Sequence, residues 1–163
     1  MQETPPPHAV PDVQTVNELL DRGRLALEQG MHAEALSYLR AAHEQAPQNA
    51  RIRSFYGLAL ARAEKRFSDA VELCNSALKQ EFFNPALYFN AAQVYLEFDF
   101  KADAIRCLRR GLMIDPSNTA IATLLGDLGR RGGPVLRFLP RSHVLNVWLG
   151  HARHRVRLLR VAA

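Results

Sequence analysis

The chain has 163 residues, is 48% hydrophobic and carries a formal net charge of +5. That length suits one domain-sized unit with tails, and the apolar content suffices for a core. No stretch approaches the ~18 apolar residues of a membrane span, and the opening residues lack the basic start and apolar run of a secretory signal.

The first segment, MQETPPPHAVPDVQ, is rich in proline and poor in apolar residues. It is expected to form a disordered lead-in over residues 1–14. Alanine and leucine dominate the chain beyond it, with few β-branched runs, which favours helix. Helices are predicted over 15–29, 32–45, 49–63, 67–80, 85–98, 101–114 and 118–130. Thr15 and Glu18 read as a capping box for the first. Asn84 followed by Pro85 reads as an N-cap with proline at the first helical position of the fifth. Gly132, Gly133 and Pro134 end the seventh. An extended apolar segment then carries Val135, Leu136, Phe138 and Leu139, and Ser142 can cap a last helix. There Leu145, Trp148, Leu149, Ala152, Val156 and Leu159 recur at helical spacing.

Small residues recur along this series in a fixed register. Ala35, Ala70 and Ala104 open the stretches EALSYLRAAHEQAPQN, DAVELCNSALKQEFFNP and DAIRCLRRGLMIDPSN. Ala42, Ala77 and Gly111 come one heptad after each of them, and Gly23, Gly57 and Ala92 precede them. Two helices cross closely only where side chains are small. The register therefore marks three helix pairs whose partners touch at these positions, and a period near 34 residues signals a repeat architecture. Larger residues fill the space beside the crossings: Leu19, Leu39, Phe55, Leu73, Tyr88, Tyr95 and Leu108.

The pattern over about residues 16–118 resembles the tetratricopeptide repeat, a helix–turn–helix unit, with a further first helix in LLGDLG around Gly126. Arg53 and Phe82 depart from it, standing where an aromatic residue and a proline are usual. The resemblance implies an all-α fold: a right-handed helical-hairpin solenoid of three repeats plus a C-terminal helix pair. The implied organisation is a lead-in over 1–14, a solenoid over 15–131, and a basic C-terminal segment over 132–163 whose final helix caps the open end near Leu124 and Leu125. The stretch around Phe138, Leu139, Arg141, Leu145, Asn146, Leu149 and Gly150 also resembles the tail of short bacterial repeat proteins of unassigned function.

Charge is divided unevenly. All the acidic residues lie before residue 130, whereas 130–163 contains Arg130, Arg131, Arg137, Arg141, Arg153, Arg155, Arg157 and Arg160. Such polarity often marks an anionic partner, and arginine carries a planar fork suited to carboxylate or phosphate. The candidate basic patch is Arg137, Arg141, Arg153, Arg157 and Arg160.

Catalytic signals are thin. His151 and His154 stand i, i+3 on a helix without a following carboxylate, amid positive charge. No nucleophile elbow, phosphate-binding glycine loop or zinc-protease motif is present. Cys74 and Cys107 fall inside helices and read as small core residues, which suits a reducing, cytoplasmic setting. The expectation is a non-enzyme without metal or cofactor.

Function is therefore expected on the groove that first helices line in tetratricopeptide solenoids. By position it presents Asn17, Leu20, Arg24, Arg51, Ser54, Leu58, Arg62, Phe89, Asn90 and Gln93. Some relatives grip a C-terminal carboxylate with a clamp whose positions here carry Leu20, Arg24, Phe55, Ala86 and Asn90, so the clamp is not reproduced. A groove mixing arginines with Leu58 and Phe89 suits a protein or peptide partner with acidic and apolar residues. Two alternatives stand beside this adaptor reading: a secretion-type chaperone, and a binder of nucleic acid or anionic membrane through the arginine-rich tail.

Overall fold

The computed structural model describes residues 13–129, which form seven α-helices. These are α1 (Val13–Glu28), α2 (His32–Gln45), α3 (Ala50–Ala63), α4 (Phe67–Gln80), α5 (Pro85–Glu97), α6 (Lys101–Ile114) and α7 (Thr119–Gly129). Each odd-numbered helix packs on the even-numbered one after it, through α6, and α3 also packs on α5. The result is a stack of three helical hairpins followed by α7.

The turns explain why each helix stops where it does. Between repeats, an asparagine caps each new first helix. Asn49 accepts from the amides of Arg51 and Ile52 at 3.0 and 3.2 Å. Asn84 accepts from Ala86 at 3.2 Å and Asn118 from Ile121 at 3.1 Å. Each cap satisfies amides that the helix itself leaves without partners. Within repeats, Gly30, Lys65 and Asp99 adopt positive φ of 76°, 56° and 63°. Past that residue, the Met31 amide reaches back to Ala26 O and the Phe100 amide to Tyr95 O, both at 2.9 Å. This closes the end of the helix in Schellman fashion.

The small residues act as expected. Ala35, Ala42, Ala70, Ala77, Ala92 and Ala104 are all buried. A Cβ on Gly57 would lie 2.9 Å from the carbonyl oxygen of Ala70, so α3 and α4 meet at van der Waals distance there with no room for a side chain. On Gly23 it would meet Leu39 Cγ at 2.5 Å. Leu39, Ile52, Leu87, Leu108 and Ile121 fill the interior between crossings. Burying each contributes about 1.5–3 kcal/mol. Phe67 stacks on Phe100 at 4.8 Å and meets Phe98 edge-on at 5.0 Å, joining the turn regions of the second and third repeats.

Two expectations need correction or limits. The helix α1 begins at Val13, so Thr15 lies inside it and is no N-cap. Residues 13 and 14 of the lead-in expected over 1–14 belong to α1, while residues 1–12, the final helix, and Arg137, Arg141, Arg153, Arg157 and Arg160 lie outside the described residues. Among the described residues, no helix is long and apolar enough to cross a membrane.

Candidate functional site

The first helices share one face, and the repeat register dictates what each presents there. Positions one residue after the small crossing residue carry Arg24, Leu58, Gln93 and Asp127. Positions five residues after it carry Glu28, Arg62 and Glu97. Positions two residues before it carry Phe55, Asn90 and Leu124. Because the helices stack side by side, residues equivalent in sequence form columns running across the face.

Two cavities occupy this face. One of 390 Å³ lies along α1, α3 and α5, lined by Arg24, Leu27, Glu28, Phe55, Leu58, Arg62, Ala86, Phe89, Asn90 and Gln93. The other, of 560 Å³, lies along α5 and α7. Its lining is Arg62, Phe89, Gln93, Leu96, Glu97, Thr119, Ala120, Thr123, Leu124 and Asp127. Arg62, Phe89 and Gln93 line both, so the two cavities are segments of one groove.

Arg62 is its centre. One guanidinium nitrogen donates to Gln93 Oε1 at 2.6 Å and the other terminal nitrogen to Leu27 O at 3.4 Å. Both acceptors are neutral. Burial pushes the guanidinium below its ordinary value, with the Glu97 charge opposing. A cation held in place, partly desolvated and hydrogen-bonded to neutral acceptors, favours an incoming anion. Arg24 stands on the same groove wall, its guanidinium 5.6 Å above the centre of the Phe55 ring and 3.3 Å from Asp21.

Beneath the groove, the Asn90 amide donates to Ser54 Oγ at 3.1 Å. The floor is thus a polar brace between α3 and α5, flanked by Leu58.

Placement of the sequence candidates is uneven. Arg24, Leu58, Arg62, Phe89, Asn90 and Gln93 come together along the groove. Leu58 and Asn90 do so as a floor, both nearly fully buried. Leu20 and Ser54 are instead core residues, at 4% and 0% exposure. Leu20 turns toward the interior with Val16, and the Ser54 hydroxyl is taken by Asn90. Asn17 and Arg51 are exposed but line neither cavity. Sequence reasoning missed Thr119, Thr123, Leu124 and Asp127. The signal was available: advancing the Arg24–Leu58–Gln93 column by one more repeat lands on Asp127.

Elsewhere, His43 stacks on Tyr56 at 5.0 Å across α2 and α3. Cys74 is buried with its Sγ 3.7 Å from Ser54 O, and burial pushes its thiol up to about 12. Cys107 is half-buried and pushed up to about 11. Both are free thiols. Among the described residues, no group of three or more His, Cys, Asp or Glu side chains is placed to hold a metal ion.

Comparison with known proteins agrees with this architecture. Two models of the tetratricopeptide repeat match residues 20–84 and 61–128. No curated sequence matches the chain. Among solved structures, it is similar to the first TPR of Spaghetti (RPAP3) bound to the HSP90 peptide SRMEEVD, with 21% identity and a TM-score of 0.57. That match covers 72% of this chain and 93% of the other. The second TPR domain of human RPAP3, in complex with the HSP70 peptide SGPTIEEVD, matches at 14% identity and TM-score 0.56. It covers 72% of this chain and 98% of its own. The Sgt2 TPR domain from Aspergillus fumigatus matches at 15% identity and TM-score 0.61, covering 77% and 83%. At these identities the likeness is one of fold.

Proposed function

The chain belongs to the tetratricopeptide repeat superfamily, and on that premise we propose that it is a protein-interaction adaptor holding a partner's peptide segment in the first-helix groove. The observation that carries this reading is Arg62, a partly buried cation at the junction of the two cavities, hydrogen-bonded to the neutral acceptors Gln93 Oε1 and Leu27 O. With Arg24 it offers two guanidinium groups to carboxylates. Phe55 and Phe89, half-buried, offer apolar surface beside them, over the Leu58 floor. The complementary segment carries at least one acidic residue flanked by apolar ones.

Two of the similar solenoids are bound to peptides of HSP90 and HSP70, SRMEEVD and SGPTIEEVD, which supports a peptide as the ligand class. The means would differ here. Leu20, Phe55 and Ala86 stand at clamp positions, and Leu20 is in the core. A carboxylate would be met by Arg24 and Arg62 instead.

The test starts from a partner captured by photo-crosslinking through a benzoylphenylalanine placed at Phe89. Its affinity is then measured for Arg62→Glu, Arg24→Glu and, on the second-helix face, Arg109→Glu. The groove variants should lose about tenfold or more, equivalent to about 1.4 kcal/mol. Arg109→Glu should bind as the parent does. Loss at Arg109 with parental binding at Arg24 and Arg62 would place the partner on the other face.

A further inference from the structure

The groove is not uniform in charge along its length. Its α1–α3 end carries Arg24 and Arg62, with Glu28 as the one acid among the lining residues there. Its α5–α7 end carries Glu97 and Asp127 in a 560 Å³ cavity walled by Phe89, Leu96 and Leu124, with Arg62 at its border with the other cavity. One of the columns, Arg24–Leu58–Gln93–Asp127, therefore runs from cation to anion along the solenoid, with Arg62 between the two cavities and both Glu97 and Asp127 toward α7.

We propose that the peptide held in this groove carries a lysine or arginine seated at the Glu97–Asp127 end, so that its acidic and basic residues are read in a fixed order along the solenoid. This rests on the groove being the peptide site. A long basic side chain suits the cavity in both its parts: the methylene stem covers Phe89, Leu96 and Leu124, and the cation meets carboxylates. Glu97 already meets the ammonium of Lys65. That lysine side chain is 62% exposed, so the pair is screened by solvent, and a carboxylate with two oxygens can accept from a second cation. An acidic residue seated against Glu97 and Asp127 would face two like charges. An apolar residue would leave Asp127 facing it without a cation and Glu97 with Lys65 alone. The gradient thus favours one peptide orientation and disfavours its reverse, which is specificity by repulsion as well as attraction.

The experiment is selection of a displayed random dodecapeptide library on the full chain, run in parallel on Asp127→Lys and Arg62→Glu. The parent should enrich peptides with an acidic residue toward one end, a basic residue toward the other and apolar residues between. A synthetic peptide from that pool should lose about tenfold in affinity when its basic residue becomes glutamine. It should bind Asp127→Lys weakly, and its lysine-to-glutamate version should regain affinity for that variant. Peptides that need Arg62 yet show no basic preference, or bind Asp127→Lys as well as the parent, overturn the gradient and leave the groove reading intact. Peptides that bind Arg62→Glu undiminished, or a library that enriches nothing on the parent, overturn the groove reading and the gradient with it.

Discussion

Asn90 donates its side-chain amide to Ser54 Oγ at 3.1 Å, across one full repeat and beneath the groove floor, with the two residues at 3% and 0% exposure. The bond joins α3 to α5 where bulk water has little access. Ser54→Ala removes the acceptor and should destabilise by about 1–3 kcal/mol in urea unfolding, because a buried amide then lacks its partner. Adding Asn90→Leu should recover part of that loss, since both polar groups are then gone. A double variant whose loss equals the sum of the singles would show that the two side chains do not act as a pair.

Glycine substitutions should separate tight crossings from open ones. Gly57→Ala places its Cβ 2.9 Å from the Ala70 carbonyl oxygen, a backbone atom that cannot swing aside. It should cost about 1–3 kcal/mol. Gly126→Ala meets nothing within 4 Å among the described residues, inside α7. It should be neutral, or stabilise by up to about 1 kcal/mol through helix propensity. Thermal melts of the two variants check the contrast, and equal melting temperatures would refute the crossing geometry.

Asp99 holds a φ of 63° in the turn between α5 and α6, at the position Gly30 occupies in the first repeat. A side chain with a Cβ is strained there, and glycine is not. Asp99→Gly should therefore stabilise by about 0.5–1 kcal/mol, against the usual destabilising effect of glycine. A lower denaturation midpoint would show that the aspartate is held there by another interaction.

His43 should make stability depend on pH. Burial, and then the Arg53 charge, holds its imidazole below the ordinary 6.5, with Glu44 opposing. Its Nδ1 is buried without a hydrogen-bond partner among the described residues. Between 6.5 and the lower folded value, the unfolded chain binds more protons than the folded one. Stability is then full above 6.5 and falls as pH drops through that window. His43→Phe keeps a ring against Tyr56 and removes the titration. Its unfolding midpoint should fall less steeply between about pH 7 and about pH 5. A slope identical to that of the parent would assign the effect to other groups.

The thiols should be inert in the native state. Cys74 is pushed up to about 12 and Cys107 to about 11, both by burial first. Since the thiolate is the reacting species, native Cys74 should react with Ellman's reagent at about pH 8 more than about a hundredfold slower than after unfolding in guanidinium. Rapid labelling of Cys74 in the native protein would mean that the α3–α4 crossing opens readily.

Much of the scaffold was legible because it depends on residue size at fixed intervals. Ala35, Ala70 and Ala104 with Gly23 and Gly57 mark the close crossings, and nothing larger fits there. The asparagine caps at 49, 84 and 118 keep the same interval, although only Asn84 stands out in the sequence, because proline comes directly after it. Where α1 begins was not legible, since Thr15 and Glu18 look like a cap whether or not the helix extends past them.

The groove was legible only in part. Arg24, Arg62, Phe89 and Gln93 are placed by register alone, because equivalent positions on stacked first helices face the same way. Whether such a position is wall, floor or core depends on how closely the next helix packs over it. That sends Leu20 and Ser54 inward, sinks Leu58 and Asn90 to the floor, and leaves Arg62 half-covered. The sequence by itself therefore determined the repeat, its crossings and the composition of the columns, each being local and periodic. Only the tertiary structure decided which column members meet solvent and that Arg62 joins two cavities, since those depend on distances between helices a repeat apart.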